Sequence, residues 1–179
     1  MNQKFKMDFY RMTGEEKCSV LKRNVLCTLS PHIRYVKLYR KYEKKKCLLT
    51  KIRLHRLSKK YGLEISTRAE IDAGLYLGHP YNITVAGGVK IGKNANLHKG
   101  CTVGRENRGK REGVPMLGEC VYVGINSTVV GNITIGDDVF IAPNSFVNFD
   151  VPSHSVVIGN PGVIHSKENA TEKYIIHKV

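Results

Sequence analysis

The sequence lacks the features that would place it in a membrane, outside the cell or around a metal ion. No apolar run approaches the roughly 20 residues that span a bilayer. The basic N-terminus has no apolar stretch of the kind found in secretory signals. The five cysteines have neither CxxC nor Cys/His ligand spacing. We therefore expect a cytoplasmic protein with reduced thiols, no disulfide frame and no metal site.

Acidic residues are scarce in the first third of the chain. Residues 1–60 hold 18 Lys and Arg against 4 Asp and Glu, whereas residues 61–179 hold 11 of each. The net charge of +14 therefore lies in the first third. Such a segment attracts polyanions, so an anionic lipid or a lipid-linked acceptor is an expected partner, which would make the protein membrane-peripheral. A solvated helical face is the alternative. Nucleic acid is not expected, because no nucleic-acid-binding motif occurs.

The same basic segment, residues 1–62, has helical patterning. Thr13 and Glu16 have capping-box spacing and predict a helix start, and Ser30 followed by Pro31 predicts another. Gly62 is placed to end the last helix. Two apolar stripes with spacings of three to five residues are expected to pack inward. They are Tyr35, Leu38, Tyr39 and Tyr42, and Leu48, Leu49, Ile52 and Leu57.

From residue 63 the pattern changes to a repeat of six residues. Every leading position of the repeat is Ile, Leu or Val, and these positions are 71, 77, 85, 91, 97, 103, 117, 123, 129, 135, 141 and 147. Such a period predicts short strands whose leading residue points into a narrow interior, with three strands to a coil. Gly or Ala often follows the leading residue, where the backbone is tight. Asn94, Asn132, Asp137 and Asn144 suit turn positions that need unusual φ.

The repeat predicts three regions in the chain. Residues 1–62 form a basic helical segment, residues 63–165 form a mainly β domain, and residues 166–179 form a C-terminal tail. Because the first coil of such a stack is open, we expect the helical segment to cap it.

The repeat region resembles the hexapeptide-repeat acyltransferases, and within them the serine acetyltransferase branch. That branch has an acidic residue fifteen positions before a histidine in the opening part of a repeat, followed by a two-residue insertion. Glu64, His79 and Ile83-Thr84 match these features. The loop 105–116 has the family's length. The closing stretches 151–155 and 159–162 also look like those of the family.

The resemblance implies a left-handed parallel β-helix that assembles as a homotrimer. It implies an O-acetyltransferase that uses acetyl-CoA as co-substrate and transfers the acetyl group directly. His79 would be the catalytic base, because a hydroxyl acceptor needs a base poised near neutrality. Glu64 would orient the imidazole, although Asp is more usual there. The residues expected to bind acetyl-CoA are Gly124, Asn126, Ala142, Asn160, Arg108 and Lys110.

One departure bears on the acceptor. Serine acetyltransferases carry a second histidine just before a proline in the long loop, and here Val114 precedes Pro115. Valine cannot hold a carboxylate, so we expect a sugar hydroxyl from polysaccharide or glycoconjugate biosynthesis. The alternatives are serine O-acetylation for cysteine biosynthesis and a non-catalytic scaffold that binds anionic surfaces. His98 follows an interior leucine, and a surface role is expected for it before a place in the site.

Outward-facing aromatic residues support assembly. Tyr122, Phe140, Phe146 and Phe149 fall at positions where polar residues would be tolerated. Exposed apolar area of that size usually marks an interface, so we expect these residues to lie between subunits of the trimer.

Overall fold

Residues 2–179, which the computed structural model describes, form four α-helices followed by fifteen short strands. The helices are α1 (Gln3–Thr13), α2 (Val20–Leu29), α3 (Pro31–Lys44) and α4 (Leu48–Tyr61). The strands are β1 (Glu64–Ile65), β2 (Glu70–Ile71), β3 (Tyr76–Gly78), β4 (Thr84–Val85), β5 (Lys90–Ile91), β6 (Asn96–His98), β7 (Thr102–Gly104), β8 (Met116–Leu117), β9 (Tyr122–Val123), β10 (Thr128–Val130), β11 (Thr134–Ile135), β12 (Val139–Ile141), β13 (Phe146–Val147), β14 (Ser155–Ile158) and β15 (Val163–Ser166). None of these helices is long and apolar enough to cross a bilayer.

The strands stack into a parallel β-helix with three sheets, as the repeat predicts. Sheet A has the order β1-β4-β7-β10-β13, sheet B has β2-β5-β8-β11, and sheet C has β3-β6-β9-β12-β14 followed by antiparallel β15. Three consecutive strands make one coil, so coil 1 contains β1 to β3 and coil 2 contains β4 to β6. All the leading aliphatic residues are buried in the interior. The six-residue period therefore predicted both the fold and its core.

The tight backbone after the leading residue is visible at Gly92. A Cβ built on Gly92 would lie 2.6 Å from the carbonyl carbon of Gly118 in the next coil. Asn94 and Asn144 adopt positive φ as predicted, at 60° and 59°. The same prediction was wrong for two other residues. Asn132 and Asp137 have ordinary φ, because the left-handed positions fall one residue away, at Gly131 and Asp138.

The helix start predicted at Thr13 is wrong. Thr13 is the last residue of α1, and its hydroxyl donates a hydrogen bond of 2.8 Å to the Phe9 carbonyl. Gly14 ends the helix with φ of 72°. The next helix begins after Ser19, whose side chain accepts a hydrogen bond from the Lys22 N–H. The start at Ser30-Pro31 and the end of α4 at Gly62 are confirmed.

The first predicted stripe packs inward, but the second largely does not. Tyr35 and Tyr39 on α3 are buried, with Leu38 and Tyr42 partly buried beside them. On α4 the buried leucines are Leu54 and Leu57, whereas the other predicted members of the stripe are exposed. These exposed residues are Leu48, Leu49 and Ile52. The stripe was misassigned because α4 buries the face that carries Thr50, Leu54 and Leu57.

The helices cap coil 1, as expected, through its backbone carbonyls. In the stack, backbone hydrogen bonds join each coil to the next, as from the Ser66 N–H to the Val85 carbonyl. The coil 1 carbonyls that point away from coil 2 have no coil to pair with. Tyr35 Oη donates to the Leu63 carbonyl, and Tyr39 Oη donates to the Ala69 carbonyl. Buried polar backbone groups need such partners, so the cap supplies donors as well as apolar cover.

Arg40 is the centre of this cap. Its guanidinium is fully buried and donates to the carbonyls of Ile71 (2.6 Å) and Asp72 (2.5 Å). It also pairs with the buried carboxylate of Asp8 on α1 at 2.7 Å. That carboxylate accepts a further hydrogen bond from the Leu75 N–H. Burial raises the pKa of Asp8, and Arg40 opposes this shift.

The C-terminal tail, residues 167–179, folds back across sheet C. Asp138 accepts hydrogen bonds from the backbone N–H groups of Ala170 and Thr171 and pairs with His154 at 3.0 Å. Near the end of the tail, the Val179 N–H donates to Asn94 Oδ1 at 2.8 Å. The tail therefore runs from coil 4 back toward α1 and ties the last coils to the cap.

Candidate active site

The corners between sheet C and sheet A stack into one column, which we call the C–A corner. It comprises residues 78–83, 98–101, 124–127 and 142–145, and the turn between β14 and β15, residues 158–160, stacks on its last layer. Backbone hydrogen bonds tie its layers together, such as Lys99 N–H to the Gly78 carbonyl and Asn126 N–H to the Lys99 carbonyl. The layers 98–101, 124–127 and 142–145 have four residues each. The first layer carries the insertion and His79.

The insertion lies two residues before the predicted position. Ile83-Thr84 was predicted as the inserted pair, but Thr84 pairs in register with Thr102 of the next coil. Gly78 pairs in register with His98. The extra residues therefore fall between Gly78 and Asn82, where the segment 79–81 bulges out of the corner. The sequence could not distinguish the two positions, because Ile83 is as aliphatic as a leading residue.

His79 lies at the tip of this bulge, with an exposed side chain and φ of 48°. Its carbonyl accepts a hydrogen bond from the Tyr81 N–H. The bulge rests on the end of α4, because the Tyr81 ring packs edge-on against Tyr61, with 5.6 Å between centroids. The Asn82 N–H donates to the Tyr61 carbonyl at 3.0 Å. The cap thus fixes the bulge that presents the imidazole to solvent.

Glu64 lies on β1, directly below the bulge. Its N–H donates to the Ile83 carbonyl at 2.8 Å, and its side chain is exposed. Among residues 2–179 of the single chain, no hydrogen bond joins the side chains of Glu64 and His79. The Glu64 backbone adjoins the end of the bulge through Ile83, and the orienting role of Glu64 stays a prediction.

His98 is a neighbour of His79 to which the sequence gave little weight. Its ring lies over Gly78, where an added Cβ would be 2.4 Å from the ring, and it stacks on Tyr122 with 4.4 Å between centroids. Its Nε2 is buried and has no hydrogen-bond partner among the described residues. Burial, and then the nearby His79, lower the pKa of His98 to about 4. His98 is therefore neutral near pH 7. The six-residue repeat would have placed it beside Gly78, because each of the two residues follows a leading leucine.

Four of the six residues expected to contact acetyl-CoA lie on the C–A corner, in layers that follow the one with His79. They are Gly124, Asn126, Ala142 and Asn160. A Cβ on Gly124 would lie 2.6 Å from the Ile141 carbonyl oxygen, so the column keeps a smooth backbone surface there. The other two, Arg108 and Lys110, are exposed on the loop between β7 and β8. That loop leaves the corner between sheets A and B, so one chain does not bring the two sets together.

Backbone hydrogen bonds hold the loop 105–116 in place. Glu106 and Gly113 form an antiparallel bridge, and the Asn132 N–H donates to the Arg111 carbonyl at 2.9 Å. Val114 is half-buried and packs against the core near Gly88. It offers no polar group, so any carboxylate of an acceptor would need the loop's cations instead.

The outward aromatic residues are covered in part by the chain itself. Tyr122 stacks on Phe140 with 4.6 Å between centroids, and Tyr174 of the tail packs on both rings. Phe149 is partly buried against the core. Sequence patterning could not show this cover, because Tyr174 lies 34 residues beyond Phe140.

Comparisons with known proteins identify this repeat. Residues 115–148 match the family described as bacterial transferase hexapeptide (six repeats). The serine acetyltransferase of Staphylococcus xylosus is 36% identical over 126 residues, covering 69% of this chain and 57% of that protein. The serine acetyltransferase of Helicobacter pylori (strain ATCC 700392 / 26695) is 33% identical over 107 residues, covering 60% and 63%. The chain thus spans less than two thirds of the length of these relatives.

A solved structure shares the fold over most of the chain. The serine acetyltransferase of Neisseria gonorrhoeae in complex with serine superposes with a TM-score of 0.73 at 24% identity, covering 92% of this chain and 68% of that one. All three of these proteins are serine acetyltransferases, so the comparisons lend no support to the sugar O-acetyltransferase branch that Val114 suggested. Residues 115–148 thus match the hexapeptide repeats of bacterial transferases, and a larger part of the chain is similar to serine acetyltransferases.

Proposed function

We propose that the protein is an acetyl-CoA-dependent O-acetyltransferase that acetylates the hydroxyl of serine. The observation that carries this proposal is the C–A corner, where His79 is exposed in the first layer and Gly124, Asn126, Ala142 and Asn160 lie in the later layers. The 36% identity to a serine acetyltransferase over 126 residues supports serine as the acceptor.

The proposed chemistry is direct transfer within a ternary complex. The acceptor oxygen forms a bond to the thioester carbonyl carbon, while His79 takes the hydroxyl proton. The carbon–sulfur bond then breaks, and the departing thiolate of CoA recovers a proton from the imidazolium. A histidine suits this role because its pKa lies near neutrality, unlike that of the hydroxyl.

Glu64 is the proposed orienting group for His79. A carboxylate at the second ring nitrogen would fix the tautomer and stabilise the imidazolium formed during transfer. His98 would be a poor substitute for His79 as general base, because its lowered pKa makes it a weak base. Its neutrality also spares His79 a neighbouring positive charge near pH 7.

The acetyl-CoA site is proposed to form between two chains of a homotrimer. Gly124, Asn126, Ala142 and Asn160 would line the pantetheine path along the C–A corner. Arg108 and Lys110 would come from the loop of the neighbouring chain and contact phosphate groups, for which guanidinium and ammonium groups are suited. The positions of the two sets support this proposal. They lie at different corners of one chain, so a second chain is needed to bring them together.

Val114 is the observation that keeps the sugar acceptor as a second candidate. A serine carboxylate needs a cationic or hydrogen-bonding partner, and Val114 supplies neither. In the serine proposal the remaining loop cations, Arg105 and Arg111, hold the carboxylate. In the sugar proposal no carboxylate has to be held.

A thiol-release assay with acetyl-CoA separates the two acceptors. L-serine and a panel of sugars and nucleotide sugars are compared as acceptors at equal concentration. Turnover with L-serine supports the main proposal, and turnover confined to a sugar would replace it. Turnover with neither would favour the non-catalytic scaffold.

Variants at the corner test the base. His79→Ala should lower kcat by about 10²–10⁴ with folding intact, since a general base contributes that much. Glu64→Gln should lose less, because it orients the base without transferring the proton. Lys93→Ala, an exposed change on another corner, is the matched control. Turnover near wild type in His79→Ala would remove His79 from the mechanism.

A further inference from the structure

The outer side of the helical segment contains a basic cleft that the proposed transfer does not use. The cleft lies between α2 and α4, with α3 as its floor, and has a volume of about 630 Å³. Five cationic side chains line it, and none of the described residues around it is acidic. They are Arg34, Lys37, Lys41, Arg53 and Arg56.

Exposed aliphatic residues flank this cleft. On α2 Leu21 is 77% exposed and Leu29 is 72% exposed, and on α4 Leu48 is 71% exposed. The other exposed members are Val20, Val25, Leu49 and Ile52. Only Cys27 of α2 is buried. We call the cleft and these flanking residues the α2–α4 face. Exposed apolar area of this size usually marks a binding site.

The charge around this face indicates what kind of partner it binds. Residues 17–63 hold 15 Lys and Arg and one acidic residue, Glu43. Glu43 is already paired with Lys4 and Arg40. A second copy of the chain docked face to face would oppose two cationic surfaces, which is unfavourable. A soluble polyanion would satisfy the cations but leave the leucines in water. An anionic bilayer pairs with the cations and also covers the leucines.

We propose that the α2–α4 face docks on anionic phospholipid bilayers. The cations of the cleft contact lipid phosphates, while the exposed leucines enter the boundary between headgroups and acyl chains. This is how amphipathic helices bind membranes without spanning them. Each basic side chain near an anionic surface strengthens such binding about fivefold.

Vesicle co-sedimentation of the full chain tests the proposal. Vesicles of phosphatidylcholine with phosphatidylglycerol should bind the protein, and phosphatidylcholine alone should not. Arg53→Glu with Arg56→Glu removes two exposed cations, so its affinity should fall by more than about 25-fold. Leu21→Gln with Leu48→Gln should weaken binding by about tenfold or more, because buried apolar contacts are lost.

Matched controls carry the same changes elsewhere. Lys167→Glu with Lys173→Glu, and Val163→Gln with Ile164→Gln, should stay within about twofold of wild type. Binding that survives the leucine changes but is lost with the arginine changes would mean a soluble polyanion instead. Self-association abolished by the leucine changes would mean a second copy. Absence of vesicle binding would also overturn the proposal.

Acetyl transfer distinguishes this failure from failure of the catalytic proposal. The variants of the α2–α4 face lie away from the C–A corner. Their turnover with a soluble acceptor, measured without vesicles, should equal that of the wild type whether or not the protein binds lipid.

Discussion

The helical cap and the β-helix satisfy their backbone groups in different ways. In the β-helix each coil pairs with the next, so one short pattern serves every layer. At the open end of coil 1 the cap uses individual side chains, with Tyr35, Tyr39 and Arg40 donating to carbonyls that have no coil beneath them. Repeated backbone hydrogen bonds stabilise the middle of such a stack, whereas individual side chains have to close its end.

Removing Arg40 should have the largest effect on stability. In Arg40→Met the Asp8 carboxylate stays buried without its ion pair, and the carbonyls of Ile71 and Asp72 lose their donor. Breaking a buried pair in this way costs about 3–5 kcal/mol. Urea unfolding measures the loss. Asp8→Asn combined with Arg40→Met should recover part of it, because no buried charge remains. A loss below about 1 kcal/mol would show that the cap does not depend on this pair.

A single interior position of the β-helix should matter slightly less. Leu97→Ala removes a fully buried side chain, so we expect the unfolding free energy to fall by about 3 kcal/mol. Leu48→Ala is the matched change on the cap, where the leucine is 71% exposed, and it should stay within about 0.5 kcal/mol. Equal losses at the two positions would mean that α4 packs against something in solution.

The same difference explains how much the sequence could predict. The six-residue period is a local pattern, so it revealed the strands and the interior. The cap depends on contacts between distant residues, such as Arg40 with Asp72, which no local pattern records. The stripe through Leu48 and Ile52 was therefore misassigned. A register slip of two residues likewise hid the bulge at 79–81.

Acidification should weaken the β-helix through His98. Its pKa is lowered to about 4 in the fold, against 6.5 in the unfolded chain. Between these values the unfolded chain binds a proton that the folded chain excludes, so stability falls as pH drops through this window. We expect a loss on the order of 2 kcal/mol, since the ring is only partly shielded from solvent. His98→Gln should lack this part of the decline when unfolding is measured at both ends of the window.

The smallest effect concerns the start of α2. Ser19 caps this helix by accepting a hydrogen bond from the Lys22 N–H at 3.2 Å, so Ser19→Ala should cost about 1 kcal/mol. The helix buries only Cys27, so it can open without the rest of the protein. The loss should therefore appear in hydrogen exchange of the α2 amides and leave urea unfolding nearly unchanged. Thr13→Ala is the control, because Thr13 ends α1 and caps nothing in α2. If Thr13→Ala instead speeds exchange in α2 while Ser19→Ala does not, the helix begins where the capping box predicted. A cap whose outer helix opens alone would also differ in kind from the β-helix, where each interior strand is held by two neighbouring coils.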